Sequence, residues 1–347
     1  MKKSDFNPKT RISSVPNRVK PLAGLSLDLD NLWSYLKTHG DPNWENFPSY
    51  IDFFIPRILD ILDELNLKIT FFIVGQDAVI EKNRDALKLI TQRGHEVGNH
   101  SFSHEPWLHL YSKNKIKAEI TAAEEYIKNT TGQKPIGFRG PGFSWSSDLL
   151  EVLNENGYLY DASSLPTFLG PLARAYYFSK SNLSSREKEK RDKLFGGFKD
   201  GLRPIKPHFL KLDSGRKLLE IPVTTIPVFR TPFHLSYLVY LYRCSRFLMS
   251  FYLKIAISMC RITRTAPSFL LHPLDLLDCA EVPELSFFPG MKADVNKKIE
   301  VFHYVMNTIQ IYFTLTNMST YAKSITKYKV LKDIRVHNTV YSNQTNY

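Results

Sequence analysis

Residues 22–31 read LAGLSLDLDN, an apolar run that ends in two aspartates separated by one leucine. Such a run predicts a buried strand, and extended geometry would put Asp28 and Asp30 on the same side of it. Two like charges buried close together are costly unless a cation joins them, so a metal ion or an arginine is expected nearby. The alternative is that the aspartates cap a following helix.

Similar apolar runs recur along the chain, with helical patterns between them. This alternation is typical of an α/β sheet or barrel, and seven strands suit a distorted or incomplete (β/α)7 barrel of the TIM type. The predicted strands occupy 22–29, 68–74, 95–99, 136–139, 159–162, 218–228 and 268–272, and helical patterns cover 51–65, 79–93 and 116–130.

The predicted organisation is a polar arm at 1–20, a barrel at 21–320 and a polar tail at 321–347. Two regions interrupt the barrel pattern. Residues 171–217 form a charged insert, which would be a solvated loop or a mobile lid. Residues 235–264 are apolar and aromatic with interspersed Arg and Lys, which fits an amphipathic helix packed on the barrel or an interfacial helix on an anionic membrane.

The composition limits the class of protein, the kind of partner and the cellular compartment that we expect. The 347 residues are 43% apolar, which is ordinary for a globular protein with a substantial core. The net charge of +12 suggests an anionic partner. Three cysteines without C-x-x-C spacing argue against a disulfide framework and a thiolate zinc site. With no secretory signal or membrane-spanning run in the sequence, a reducing cytoplasmic compartment is the expectation.

Residues 94–104 read GHEVGNHSFSH and contain an H-x-x-x-H pair, His100 and His104. On a helical turn these imidazoles would face the same way and bind one cation, with Asp30 as the third ligand. Zinc is the expected metal, because it lowers the pKa of bound water to about 7 and leaves positions open for water and substrate. The alternative is two unliganded loop histidines, and His95 is predicted to be structural.

Three further polar residues stand at predicted strand ends. Arg139, in GFRGPGF, could pair with Asp28, the predicted general base, although a surface salt bridge is the alternative. His272, in SFLLHPLD, is either a core histidine or the general acid for the leaving group. Asp161, in YLYDASSLP, could orient His272 as the carboxylates of catalytic triads do.

Taken in order, LDLDN, HSFSH, RGPGF, YDASS and LLHP resemble the five motifs of the polysaccharide deacetylases, carbohydrate esterase family 4, over roughly residues 22–278. The resemblance implies a partial barrel, an active site at the strand carboxyl ends and metal-dependent removal of an acyl group from an amino sugar. It assigns the base to Asp28, the metal to Asp30, His100 and His104, the acid to His272, and an oxyanion-binding N–H to the backbone near Gly142.

Two departures bear on the substrate. Leu29 separates aspartates that are commonly adjacent in secreted members, and the fourth motif lacks a tryptophan often found there. The D-x-D form resembles the intracellular branch, which includes deformylases and deacetylases of lipid-linked sugars. With the basic segment 235–264, this favours an N-acetyl or N-formyl sugar on a polyprenyl phosphate, modified at the inner membrane face in envelope glycan or lipopolysaccharide modification.

The alternatives are a soluble saccharide, a small cyclic amide, or an inactive carbohydrate-binding relative. Nucleic acid is not an expected partner, because the sequence carries no recognised nucleic-acid-binding motif.

Overall fold

The computed structural model describes residues 19–180, 183, 188, 189 and 197–336, and ten strands within them form one mostly parallel sheet. The strands are β1 Leu22–Leu29, β2 Thr70–Ile73, β3 Glu96–Asn99, β4 Gly137–Phe138, β5 Tyr160–Asp161, β6 His208–Lys211, β7 Lys217–Glu220, β8 Ser268–Leu271, β9 Thr314–Thr316 and β10 Asp333–Arg335. The α-helices with described bounds are α1 Leu32–His39, α2 Ile51–Glu64, α3 Gly75–Val79, α4 Arg84–Gln92, α5 Lys113–Thr131, α6 Ser147–Glu155, α7 Gly170–Lys180, α8 Leu235–Cys244, α9 Arg246–Ile262, α10 Val295–Gln310 and α11 Met318–Tyr328.

The central strands follow the neighbour order β8-β1-β2-β3-β4-β5-β7 and are all parallel. The chain after β7 closes the ring, since the Thr224 N–H donates to the Ser268 carbonyl at 3.0 Å and the Ser268 N–H donates to Thr224 Oγ1 at 2.8 Å. These seven strands are the ones that the sequence predicts, so the expected (β/α)7 barrel-like fold is confirmed.

Strand β1 is buried on both sides, and its two faces differ in polarity. Leu25, Leu27 and Leu29 are inaccessible to solvent and belong to the main apolar core. Ser26 and Asp28 alternate with them and are also buried. Because side chains alternate along a strand, β1 presents an apolar face to the surrounding helices and a polar face to the barrel interior.

The prediction that residues 171–217 form a solvated loop or a lid is wrong in one respect, because part of this segment belongs to the sheet. β6 pairs antiparallel with β7, which lengthens the sheet beyond the seven central strands. The polar composition misleads here because β6 is a peripheral strand that needs few apolar residues. Residues 181, 182, 184–187 and 190–196 of this segment lie outside the described residues.

The predicted tail boundary at residue 320 is also wrong. Helix α11 runs across it, with Tyr321, Ala322 and Ile325 buried in the main core, and β10 pairs with β6. The lysines of α11 face outward, so its composition is polar although its inner face is apolar. Residues 1–18 of the predicted arm (1–20) and residues 337–347 of the predicted tail (321–347) lie outside the described residues.

Segment 235–264 forms two helices, α8 and α9, which meet at Ser245. The Ser245 hydroxyl caps α9, and the extended backbone of this residue ends α8. One face of the pair, including Leu238 and Leu253, lies in the main core, whereas Phe247 is 78% exposed. This segment therefore packs on the barrel through one of its faces. Among the described helices, none has the length and apolar character that crossing a membrane requires.

Candidate metal centre

The polar residues predicted from the motifs meet at the carboxyl edge of the parallel strands. Asp30 follows β1, His100 follows β3 and Arg139 follows β4. His272 follows β8, and the register that pairs Leu27 with Leu271 sets His272 level with Asp28. Parallel register therefore brings side chains that are distant in sequence to one edge of the barrel.

The loop that carries His100 and His104 is not the predicted helical turn. Ser101 and His104 have positive φ angles of 62° and 51°, so the chain cannot continue in a right-handed helix there. The Glu119 carboxylate of α5 holds the loop, accepting hydrogen bonds from the N–H groups of Phe102 at 3.1 Å and Ser103 at 2.9 Å. Sequence spacing gave no indication of this carboxylate anchor.

The two imidazoles nevertheless converge on Asp30. Its Oδ1 lies 2.9 Å from His104 Nε2 and 3.3 Å from His100 Nε2. Two ligands held by a tetrahedral zinc ion at about 2.05 Å would lie about 3.3 Å apart, so these separations fit a divalent cation. His100 Nδ1 donates to the Arg139 carbonyl at 2.6 Å, which leaves the Nε2 lone pair available for a cation.

The charge of Asp30 also suits a cation. Burial by itself would raise the pKa of Asp30, but the neighbouring His104 and His100 imidazoles hold it well below its ordinary value. The adjacent Tyr50 hydroxyl donates a hydrogen bond to the Asp30 backbone carbonyl and fixes the strand end. Asp30, His100 and His104 are therefore a buried, oriented set that can hold one divalent cation.

Asp28 and Arg139 form the predicted pair, and burial excludes the alternative of a surface salt bridge. Arg139 Nη1 donates to Asp28 Oδ1 at 2.7 Å and to Ser26 Oγ at 2.9 Å, and the Arg139 side chain is inaccessible to solvent. Arg139 Nε donates to the Ala162 carbonyl at 3.0 Å. The guanidinium is thereby locked in place, and it fixes one oxygen of the Asp28 carboxylate.

His272 is accompanied by groups that the sequence analysis missed. Its Nδ1 lies 3.4 Å from Ser236 Oγ, and its backbone N–H donates to the buried Asp275 carboxylate at 2.9 Å. The buried His234 ring lies 5.9 Å from the His272 ring, and burial, followed by the charge of His272, lowers the pKa of His234 to about 3. Asp275 could have been suspected from its position three residues after His272.

Asp161 is not the partner of His272, so this predicted pairing is wrong. Its Oδ1 accepts from Ser163 Oγ at 2.5 Å, and the Ser163 oxygen accepts from the Gly140 N–H at 2.8 Å. Burial raises the pKa of both Asp161 and the adjoining Glu220, which favours a proton shared between them. Asp161 therefore supports the turn after β4 rather than His272.

That turn contains Gly142, the predicted oxyanion donor. Gly142 has left-handed backbone angles of φ 60° and ψ 23°, which glycine adopts without strain. Gly140 allows the turn to fold tightly, since a Cβ there would lie 2.0 Å from the Ser144 carbonyl oxygen. The turn therefore requires glycine at position 140 and favours it at position 142, beside Arg139 and the candidate metal site.

Comparison with known families identifies part of the chain. The family model described as polysaccharide deacetylase matches residues 44–160, which include His100, His104 and Arg139. Asp28, Asp30 and His272 lie outside the matched residues, so their placement in the site rests on the geometry above.

Two curated relatives carry related names. A peptidoglycan deacetylase of Helicobacter pylori is 30% identical over 149 residues, covering 41% of this chain and 49% of the relative. A peptidoglycan-N-acetylglucosamine deacetylase of Bacillus cereus is 38% identical over 114 residues, covering 33% of this chain and 40% of the relative. The chain thus spans less than half the length of both relatives.

One solved structure extends the likeness of the fold. The crystal structure of a proposed polysaccharide deacetylase from Mycobacterium smegmatis superposes with a TM-score of 0.55 at 18% identity, covering 95% of this chain and 98% of that one. At this identity the comparison supports the fold, which extends over nearly the whole chain.

Proposed function

We propose that this chain, whose residues 44–160 match the polysaccharide deacetylase family model, is a divalent-metal-dependent hydrolase that removes the N-acyl group from an amino sugar. The observation that carries the proposal is the meeting of Asp30, His100 and His104 with the buried Asp28–Arg139 pair at one edge of the barrel. An inactive carbohydrate-binding relative would not need this complete set of groups.

The proposed chemistry follows from where the groups lie. A divalent cation held by Asp30, His100 and His104, zinc in our proposal, would supply Lewis acidity to the acyl oxygen and to water. Asp28, held by Arg139, takes a proton from the attacking water, and the backbone near Gly142 donates to the developing oxyanion.

His272 then completes the reaction. It donates a proton to the sugar nitrogen as the carbon–nitrogen bond breaks, so the products are a carboxylic acid and a free amine. Ser236 and Asp275 hold His272 at the strand end. Base and acid therefore approach the amide from adjacent strands, β1 and β8.

The names of the relatives favour acetyl as the acyl group, with formyl as the second candidate. We further propose that the sugar is carried on a polyprenyl phosphate at the inner face of the cytoplasmic membrane, in envelope glycan or lipopolysaccharide modification. Three free thiols, Cys244, Cys260 and Cys279, are consistent with a reducing compartment. A soluble saccharide and a small cyclic amide are the remaining candidates.

The surface formed by Tyr240, Phe247, Leu248 and Phe251 supports contact with a membrane. These four residues are 42–78% exposed at the junction of α8 and α9, next to the exposed Arg243 and Lys254. Aromatic residues flanked by cations are typical of surfaces that lie on anionic lipid. Because α9 leads into β8, this junction is directed toward the barrel edge that carries the candidate metal centre.

Metal analysis and product assays test the hydrolase proposal. Purified protein should contain one divalent metal per chain and should release acetate or formate from a panel of lipid-linked and free N-acyl amino sugars. An Asp28→Asn variant should keep the metal but lose activity by at least about 10²-fold. A metal-free protein, or full activity in Asp28→Asn, would contradict the proposal.

Flotation with phosphatidylglycerol vesicles at low salt tests the membrane contact. Phe247→Ser should float less than the wild type, whereas Tyr328→Ser, which removes a ring that is 72% exposed elsewhere, should float normally. Equal flotation of the two variants would favour a soluble substrate.

A further inference from the structure

A cavity opens at the end of the barrel opposite the candidate metal centre. Its volume is about 790 Å³, and its lining includes Pro21 and Phe313, which directly precede β1 and β9, and Ala266, two residues before β8. These three strands are parallel, so the cavity lies at their amino edge. The eight residues of β1 place the two sites roughly 26 Å apart.

The rim of this cavity is positively charged. Arg261, Arg264 and Lys329 line it, none of the described residues in the lining carries a carboxylate, and all three side chains are exposed. Lys206 lies close enough that its charge, after burial, lowers the pKa of Lys329. Among the described residues, none of these four cations forms an ion pair, so no carboxylate offsets their mutual repulsion.

Two of the cations are held in position by other groups. The Arg261 guanidinium lies over the Tyr312 ring, 4.2 Å from its centroid. Lys206 Nζ donates to the Thr263 carbonyl at 2.7 Å. Arg261 and Lys206 have therefore already lost part of their conformational freedom, so binding an anion costs less entropy.

Arg264 stands in a backbone conformation that favours glycine. It follows α9 with a φ of 53°, at the left-handed position where helices usually end in glycine. A non-glycine residue there costs about 1 kcal/mol. That an arginine occupies this position beside three other cations points to a use for its side chain.

The floor of the cavity is apolar. Cys260, Ala266 and Phe313 are buried beneath the charged rim. A cavity of this volume is in the usual range for small-molecule sites and far exceeds what one inorganic phosphate would fill.

We propose that this cavity binds an organic phosphate, with the phosphate on Arg261, Arg264 and Lys329 and the organic portion on the apolar floor. Arginine pairs with phosphate through two parallel hydrogen bonds, and a doubly charged group suits several unpaired cations better than a carboxylate does. The phosphate could belong to a free metabolite or to a lipid headgroup. The proposal does not depend on the hydrolase activity.

Calorimetric titration of the full chain with phenyl phosphate tests the free ligand, and sedimentation with phosphatidylglycerol vesicles tests the headgroup. Arg264→Gln/Lys329→Gln should weaken binding at least about tenfold. The control Lys88→Gln/Lys128→Gln makes the same charge change at exposed lysines outside both the cavity lining and the α8–α9 surface, and it should bind like the wild type.

A third variant separates binding from folding. Arg264→Gly relieves the left-handed backbone strain, so it should unfold at the same temperature as the wild type or higher while still binding phenyl phosphate more weakly. Loss of phenyl phosphate binding in the cavity variants supports a free phosphate, and loss of vesicle binding alone supports a lipid headgroup. If both probes bind the cavity and control variants equally, or bind no variant at all, the proposal is overturned.

Discussion

Arg139 serves both halves of the candidate site. Its guanidinium fixes the Asp28 carboxylate at 2.7 Å, and its backbone carbonyl accepts from His100 Nδ1 at 2.6 Å. The proposed base and an imidazole of the candidate metal centre are therefore oriented by one residue directly after β4. Its surroundings are fully buried, so the pair with Asp28 has little help from water.

Replacing Arg139 with methionine should destabilise the fold strongly. The change leaves the Asp28 carboxylate buried without its cation, which costs about 3–5 kcal/mol in the free energy of unfolding. Arg93→Met removes a partly exposed arginine paired with Asp60 and should cost less than about 1 kcal/mol. Urea denaturation of both variants measures the contrast, and equal losses would show that burial of the Asp28–Arg139 pair is unimportant.

For individual residues, the sequence motifs predicted where each side chain lies in the fold better than they predicted which groups it contacts. Asp28, Asp30, Arg139 and His272 each follow or end a buried strand, and parallel register brings such residues together whatever their distance in sequence. Which groups then touch depends on side-chain directions and on segments such as α8, which supplies Ser236 to His272. Spacing along the chain contains no information on such contacts.

Among the structural elements, the loop between β3 and α5 is held in its conformation by a side chain that lies outside the loop. Glu119 accepts hydrogen bonds from two backbone N–H groups of this loop and from Ser103 Oγ at 2.8 Å. Two residues of the loop have positive φ, so local preference does not maintain its shape.

Glu119→Ala should therefore weaken metal binding by about 10–100-fold, as the loss of supporting groups commonly does. Glu125→Ala, an exposed glutamate on the same helix, should leave the affinity unchanged. Competition with a zinc chelator measures both, and matched affinities would mean that Glu119 does not hold the loop.

His95, at the start of β3, makes a pH-dependent contribution to stability. Its Nδ1 accepts from the Ile69 N–H at 3.2 Å, which requires a neutral ring, and burial, followed by the charge of Lys68, lowers its pKa from 6.5 to about 4. Between these values the unfolded chain binds the proton and the folded chain does not, so stability falls as the pH falls.

The stability advantage of the wild type over His95→Asn, whose amide oxygen can still accept from Ile69, should thus shrink between pH 6.5 and about pH 4. Denaturant titrations across this range measure it. Both proteins share the metal ligands, so acid loss of metal affects them alike. A constant difference would mean that His95 titrates normally in the fold.

The elements recognised in the sequence are those with apolar runs. Strand β1 was predicted with its observed bounds because seven of its eight residues are buried. Strands β6, β9 and β10 were missed because they are three or four residues long and only partly buried. Such short strands are stabilised by pairing with neighbouring strands, and a local sequence pattern does not reveal that pairing.

For the whole molecule, helix α11 is part of the barrel core. Tyr321 is 1% exposed, and its hydroxyl donates to the Ala266 carbonyl at 3.0 Å, just before β8. Tyr321→Ala should reduce the free energy of unfolding by about 3–5 kcal/mol. Tyr328→Ala, at the exposed end of the same helix, should change it by less than about 0.5 kcal/mol. Chemical denaturation distinguishes the two variants. A small loss of unfolding free energy in Tyr321→Ala would mean that the core ends near residue 320, as the sequence predicts.

Arg139 orients His100 through its backbone and Asp28 through its side chain, so a substitution at this position removes only the second contact. Any residue at position 139 still provides the carbonyl that orients His100, but only arginine provides this guanidinium to Asp28. Single substitutions there should yield proteins that still take up metal yet have lost their positioned base. Loss of the proposed activity through a substitution at position 139 is therefore expected to leave metal uptake intact.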